Sequence, residues 1–223
     1  MSPSHRFELY AYWRTAATYR VRVALALKGL GWSEHNVNLD AGEQRSPEYL
    51  KINPLGAVPT LIDRDNGAAA LTQSLAILEY LEEIAPSPAL LPRDPVGRAR
   101  VRALALMAAG DTHPFITGRV KKYLIGEAQF DDAKFKAWQT HWLTTGLQAI
   151  EQRLARESQT GTYCHGDSVT FADICLASLV VVLPIFKIDV SGIPTVRRIV
   201  EACLKQDAFA NADPLRQAGA PKA

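Results

Sequence analysis

At 223 residues the chain has room for one large domain or two small ones around a real core. Hydrophobic residues at 48% and charged residues at 22% are ordinary for a globular protein, and a scattered net charge of +2 points away from nucleic acid and membrane surfaces. The three cysteines, Cys164, Cys175 and Cys203, are odd in number and have no CxxC or metal-ligand spacing, which argues for a reducing, cytoplasmic setting without disulfides or a metal.

The N-terminal MSPSHRFELYAYW lacks the apolar core of a secretory signal. Within it Phe7 to Trp13 reads as a short aromatic strand. Val21, Ala24, Leu25 and Lys28 follow helical spacing up to a stop at Gly29. A second strand is expected over Ser33 to Leu39, then a polar loop, DAGEQRSPEYL, with a helical turn starting near Pro47. NPLGAVP leads into a strand at Thr60 to Asp63, and Asp65-Asn66-Gly67 signals a hairpin turn into a fourth strand at Ala68 to Leu71. Ser74 opens a helix with Leu75, Leu78 and Leu81 on one face, ended by Pro86. The order βαβ then ββα predicts an α/β sheet of about four strands flanked by helices.

After the Pro-containing stretch APSPALLPRDP the periodicity is helical almost throughout, with helices expected near 96–125, 131–157, 170–185 and 194–206. The longest apolar run, Ile174 to Phe186, is too short to span a membrane and contains Pro184, so it reads as a buried helix. The last ten residues are expected to fray. The expected division is an α/β domain over 1–86, a linker over 87–95 and an all-helical domain over 96–223.

Chemistry is expected at one edge of the α/β domain. In YWRTAATYRVRVAL a strand passes through a polar turn into a helix, where unsatisfied N–H groups and the positive end of the dipole face outward. Thr15 or Thr18 could serve there as a plain helix cap, or offer a hydroxyl to an anion beside the small Ala16 and Ala17. Thr18 lies a turn further in, where a hydroxyl tends to bond back to the helix backbone. Val58 precedes Pro59 at a strand start, through a cis or a trans bond. Gln73-Ser74 opens another helix, with Ser74 a cap or a carboxylate-binding N–H.

These segments resemble the cytosolic glutathione transferases, and within them the zeta class, which includes maleylacetoacetate and maleylpyruvate isomerases. YWRTAATYRVRVALALKG, INPLGAVPTL, LTQSLAILEYLEE, GDTHP at Gly110 to Pro114 and GDSVTFADICLA carry the likeness over essentially the whole chain. The first is specific to the class; the others are mostly general to the superfamily. The resemblance implies a thioredoxin-like N-terminal domain that binds glutathione, an all-helical domain that shapes the pocket for a small electrophilic or unsaturated acid, and a homodimer. It implies Thr15 as the hydroxyl activating the glutathione sulfur, with Ala16 and Ala17 beside it. It further implies Val58 against the cysteinyl backbone, Gln73 and Ser74 at the γ-glutamyl end and Gln44 at the glycine end. His113 matches a polar residue facing the active site and Arg119 a substrate arginine of some isomerases; Arg14 and Arg119 could supply part of a site for a substrate dianion. Asp173 matches a capping acid.

The chain departs from the class in two places. Zeta proteins usually read serine, serine, cysteine where this chain has Thr15, Ala16 and Ala17, and isomerases of the class tend to have an arginine where it has Ile185. The first departure keeps the leading hydroxyl; the second removes a carboxylate partner. Isomerisation and conjugation of glutathione to an electrophile both remain open on these residues, with a non-catalytic binding or dimerisation module as the alternative outside enzymes.

Overall fold

A computed structural model describes residues 5–221, so the first four residues and the last two of the stretch expected to fray lie outside the described residues. The chain forms two compact units: residues up to Ala89 together with those from Gln206 onward, and Leu90–Lys205.

The first unit contains β1 (Phe7–Ala11), α1 (Ala16–Leu27), β2 (Trp32–Asn36), a 3-10 turn at Glu43–Arg45, α2 (Pro47–Ile52), β3 (Thr60–Asp63), β4 (Ala70–Thr72) and α3 (Ser74–Ile84). The sheet order is β2-β1-β3-β4, with β1 parallel to β2 and β3 antiparallel to both its neighbours. This is the expected thioredoxin-like βαβ–ββα arrangement. In β1 the alternation of FELYA buries Phe7, Leu9 and Ala11 and leaves Glu8 and Tyr10 half-covered. Helix α1 is buried almost all round, since it packs on α3 as well as within the unit's core. That places Arg22 inside, where the Glu34 carboxylate takes its Nε and Nη2 at 2.9 and 2.7 Å.

Strand limits differ from expectation for local reasons. β1 stops at Ala11 and β2 covers Trp32–Asn36. β4 begins only at Ala70, because the Asp63 side chain accepts the N–H of Asp65 and winds Arg64–Asn66 into a 3-10 turn. Gly67 and Ala68 then follow at positive φ. The apolar face of α3 is spent inside its own unit, where Leu78 and Leu81 are completely buried.

The second unit holds α4 (Pro95–Leu106), α5 (Gly118–Gly126), α6 (Asp132–Arg156), α7 (Phe171–Val180) and α8 (Pro194–Leu204). The single helix expected over 96–125 is broken by a π turn at Met107–Thr112 and a 3-10 turn at His113–Ile116. Thr112 Oγ1 donates to the Met107 carbonyl at 2.7 Å, and Pro114 has no N–H to continue an α-helix. Gly146 on α6 makes room for this turn, since a Cβ there would collide with the Thr112 side chain. Helix α7 ends at Val180, short of the expected 185, and turns occupy the chain around Pro184. The buried Asp173 caps it, accepting the N–H of Cys164 at 2.7 Å and the N–H and hydroxyl of Thr170 at 2.8 Å each. No helix among the described residues is long and apolar enough to cross a membrane.

The helical unit closes at Lys205, so the chain from Gln206 onward does not extend it as expected. Helix α9 (Asp207–Asn211) returns to the first unit, where the fully buried Phe209 accepts the Tyr19 hydroxyl on its carbonyl at 3.4 Å. Beyond it a 3-10 turn at Pro214–Arg216 is held by Gln217, whose amide donates to the carbonyls of Asn211 and Asp213.

Asp63, only 2% exposed, closes the base of the sheet. Arg6 grips it bidentately at 2.8 and 2.6 Å and Tyr80 donates to it at 2.5 Å. The Arg6 bonds, partly opposed by burial, hold its carboxyl at about 2. A depressed carboxyl stabilises the fold fully above its unfolded value of about 3.9, and that stability is lost as pH falls through about 2. Asp63→Asn should therefore cost about 2 kcal/mol in urea unfolding at neutral pH and remove its share of the wild-type decline between about pH 4 and 2.

Candidate active site

Register gathers the expected residues. Thr60, the first residue of β3, pairs with Tyr10 in β1 and with Thr72 in β4, while Ala11 pairs with Asn36 at the end of β2. The chain leaves β1, β2 and β4, and enters β3, at one end of the sheet. Thr15 follows β1, Gln44 follows β2, Val58 precedes β3, and Gln73 and Ser74 follow β4. These five positions therefore share that end.

Thr15 is the N-cap of α1, with extended backbone and a hydroxyl oxygen that accepts the N–H of Thr18 at 3.3 Å. The capping reading is thus correct, and it leaves the hydroxyl at the mouth of a helix whose first turn carries no acidic residue. Thr18 does not bond back to the helix backbone as expected; its hydroxyl oxygen meets that of Thr15 at 2.5 Å. Ala16 is buried and Ala17 half-buried in the same turn.

The Val58–Pro59 bond is cis. The Tyr49 hydroxyl and the Asn53 amide both donate to the Ala57 carbonyl at 2.7 Å, and both also reach Thr60 Oγ1. Gly56, at φ +59, lies so close to the turn bearing Gln44 that a Cβ there would stand 2.7 Å from the Gln44 carbonyl oxygen. Gln44 itself keeps a buried Oε1 with no hydrogen-bond partner among the described residues. A buried acceptor left open in this way suits a ligand N–H. Tyr49, Asn53 and Gly56 were not among the sequence candidates; the NPLG stretch, with a glycine just before the proline-led strand, is the signal that marks them.

Gln73 caps α3 at φ 67 and ψ 111, a conformation that favours glycine, while its carbonyl still accepts the first helical bond from Ile77 at 3.0 Å. Its side chain is exposed and the next residue, Ser74, is buried at the helix start. A non-glycine residue held there costs about 1–3 kcal/mol and is characteristic of ligand-clamping sites.

Arg14 is already partnered. Its Nη2 meets Asp40 at 2.5 Å, and its guanidinium lies over the rings of Tyr12 and Trp13. Tyr12 donates to the same Asp40, and burial together with that bond pushes its phenol up, so this hydroxyl stays a committed donor. Arg22, besides its Glu34 pair, reaches the Trp13 carbonyl at 3.5 Å and braces the β1–α1 turn. The three arginines around this turn divide accordingly: Arg14 at the surface with Asp40, Arg20 and Arg22 buried behind it.

The family model described as glutathione S-transferase, N-terminal domain, matches residues 5–83, and that described as glutathione S-transferase, C-terminal domain, matches residues 127–207. A maleylpyruvate isomerase from Ralstonia sp. is 40% identical over 94% of this chain and 98% of its own. A probable maleylacetoacetate isomerase from Vibrio cholerae is 39% identical over 94% of this chain and 96% of its own. Among solved structures, a maleylacetoacetate isomerase from Methylobacterium extorquens AM1 with bound malonate and glutathione superposes with a TM-score of 0.93 at 48% identity, covering 96% of this chain and 100% of that one. This chain belongs to the glutathione S-transferase family, in its zeta class.

The remaining sequence candidates lie in the second unit. His113 opens the 3-10 turn after the π turn and is half-buried; Arg119 lies exposed on the first turn of α5. Ile185 is half-buried beside Phe186, whose carbonyl accepts Lys136 Nζ. Near His113, Phe115 stacks on Trp142 at 4.1 Å and its carbonyl accepts the indole N–H of Trp138 at 2.7 Å, an aromatic group that periodicity alone did not single out.

If the Gln73 backbone is kept at positive φ for ligand rather than for stability, Gln73→Gly should leave the melting temperature unchanged or raise it, while weakening glutathione binding about tenfold through loss of the side chain. Calorimetric titration beside a thermal melt separates the two effects.

Proposed function

We propose that this chain is a glutathione-dependent cis–trans isomerase of maleylacetoacetate-like acids. The observation that carries the reading is the single sheet end where a capping hydroxyl, two helix starts and a braced pre-proline strand converge. The names of its relatives supply the substrate class. Ser74 N–H and the Gln73 side chain hold the γ-glutamyl end, the Val58 backbone pairs with the cysteinyl unit, and Gln44 Oε1 accepts an N–H towards the glycine end. Glutathione held there would supply a thiolate, the nucleophile that reversible addition to a conjugated double bond, and so rotation about it, requires.

The protein's own cysteines are not the nucleophile. All three are buried, and burial pushes the thiols of Cys164 and Cys203 up, away from ionisation. Thr15 instead offers its hydroxyl hydrogen to the external sulfur. Such a bond to a charged acceptor contributes about 1.5–3 kcal/mol, and the N-terminus of α1 adds about 0.3–1 kcal/mol. At about 1.4 kcal/mol per unit, a thiol of pKa about 8.5 falls by roughly one to three units, which brings a large share of it to the anion near neutrality. Arg14, His113 and Arg119 are the candidates for substrate carboxylates, with Arg14 weakened in that role by Asp40.

Ile185 favours a second reading, conjugation to small electrophiles, because an isoleucine cannot pair with a carboxylate. Parallel steady-state assays of maleylacetoacetate, maleylpyruvate and a chlorodinitrobenzene-type electrophile decide between them: the isomerase reading expects turnover of the two acids to exceed that of the aryl halide. Thr15→Val should raise the pKa of the bound thiol and lower turnover about ten- to a hundredfold with glutathione affinity little changed. An unchanged thiol pKa would instead assign activation to the N–H groups of Ala16 and Ala17 or to Arg14.

A cytoplasmic location and a homodimer complete the proposal. The three cysteines are without disulfides, and α4 exposes Val96 and Leu106, at 78% and 50%, as apolar surface for a second copy. Equilibrium sedimentation at micromolar concentration should give twice the chain mass, whereas a monomer would rule the dimer out.

A further inference from the structure

Thr18 is completely buried, and its hydroxyl oxygen lies 2.5 Å from that of Thr15, which donates to it. A threonine hydroxyl has one hydrogen and two lone pairs. While Thr15 donates inward it has no hydrogen left for a ligand, and the hydrogen of Thr18 has no acceptor among the described residues. Both shortfalls disappear if the pair reverses. Thr18 then donates to Thr15 Oγ1, whose other lone pair already takes the Thr18 N–H at 3.3 Å, and the Thr15 hydrogen is left for the Tyr12 carbonyl, 3.3 Å away, or for a ligand acceptor that outcompetes it. With its two acceptor positions filled by one residue, that hydrogen has a fixed direction.

We propose that Thr18 is a positioning residue, whose buried hydroxyl reverses its bond to Thr15 and so aims the Thr15 hydrogen at the glutathione sulfur. This rests on the reading of Thr15 as the sulfur-activating group. The chain of two hydroxyls also polarises the outer one, strengthening its bond to an anion. The charged groups nearby are occupied elsewhere: Arg14 with Asp40, and Arg22 with Glu34 and the Trp13 carbonyl. Neither bonds to either threonine. The sequence carries the device as TAAT, two hydroxyls three residues apart across the helix cap, and the expectation that Thr18 would serve only its own helix is replaced by this one.

The test is the pKa of the thiol in the protein–glutathione complex, followed by thiolate ultraviolet absorbance against pH, in wild type, Thr15→Val, Thr18→Val, Thr18→Ser and the Thr15→Val/Thr18→Val double variant. Thr18→Val should leave about three- to tenfold less thiolate at a given pH below the pKa, with affinity for S-methylglutathione changed by no more than about twofold. Thr18→Ser, which keeps the hydroxyl, should restore the wild-type value. The double variant should show no rise beyond Thr15→Val alone, since Thr18 acts only through Thr15. A Thr18→Val thiol pKa equal to wild type, in a protein where Thr15→Val raises it, overturns this inference and leaves the role of Thr15 standing. An unchanged pKa in Thr15→Val overturns both. A Thr18→Ser variant as impaired as Thr18→Val also overturns it, because the methyl rather than the hydroxyl would then be what matters. If valine crowds the site and the protein fails to fold, Thr18→Ala carries the same comparison.

Discussion

Because Thr60 pairs with Tyr10 on one side and Thr72 on the other, the chain must turn at the same end of the sheet on leaving β1, entering β3 and leaving β4. Everything proposed for the active site depends on that register. A shift by one residue would send each strand's buried face outward and carry Val58 and Gln73 away from Thr15. The register is fixed on the inner face by Phe7, Leu9 and Leu61, all buried, and at the opposite end by the Arg6–Asp63–Tyr80 cluster.

Buried charge keeps the helices in step with that end. Arg22 ties α1 to Glu34 in β2 and to the Trp13 carbonyl, so the turn bearing Thr15 is anchored from behind. Lys28, with a side chain fully withdrawn from solvent, donates to Glu82 and to the carbonyls of Ala85 and Pro88, joining the far ends of α1 and α3. Losing one partner of such a pair strands the other charge inside, which typically costs about 3–5 kcal/mol. The consequence is a rigid platform on which one hydroxyl pair can be set to within a bond length. The strain at Gln73 is tolerated on the same platform.

Much of this was legible from residue order. Alternation in FELYA, the glycine at position 29 and the serine at 74 placed β1, the end of α1 and the start of α3, because each rests on local backbone chemistry. Resemblance named the five residues at the sheet end, and the register accounts for why they lie together. Three kinds of feature were out of reach. The positive φ at Gln73 leaves no mark, since glutamine is an ordinary helix-start neighbour. The π turn at 107–112 depends on a contact between Thr112 and Gly146, far apart in sequence. The pairing of Thr18 with Thr15 is a matter of one rotamer, where periodicity offered only a generic helix bond. The return of Phe209 to the first unit is likewise a long-range packing event that helical periodicity cannot distinguish from continuation of the helical domain.

On this reading the protein keeps an external sulfur ionised while its own three thiols stay buried. Ile185, standing where the resemblance leads one to expect an arginine, is the residue that keeps conjugation to an electrophile open beside isomerisation of an acid. The ionisation itself can be measured without any second substrate. Calorimetric titration of glutathione near neutral pH, repeated in buffers of different ionisation enthalpy, counts protons released on binding. The account predicts release approaching about one proton per site for glutathione and none for S-methylglutathione, which binds the same groups but has no thiol to ionise. Binding of glutathione with no proton release would contradict it.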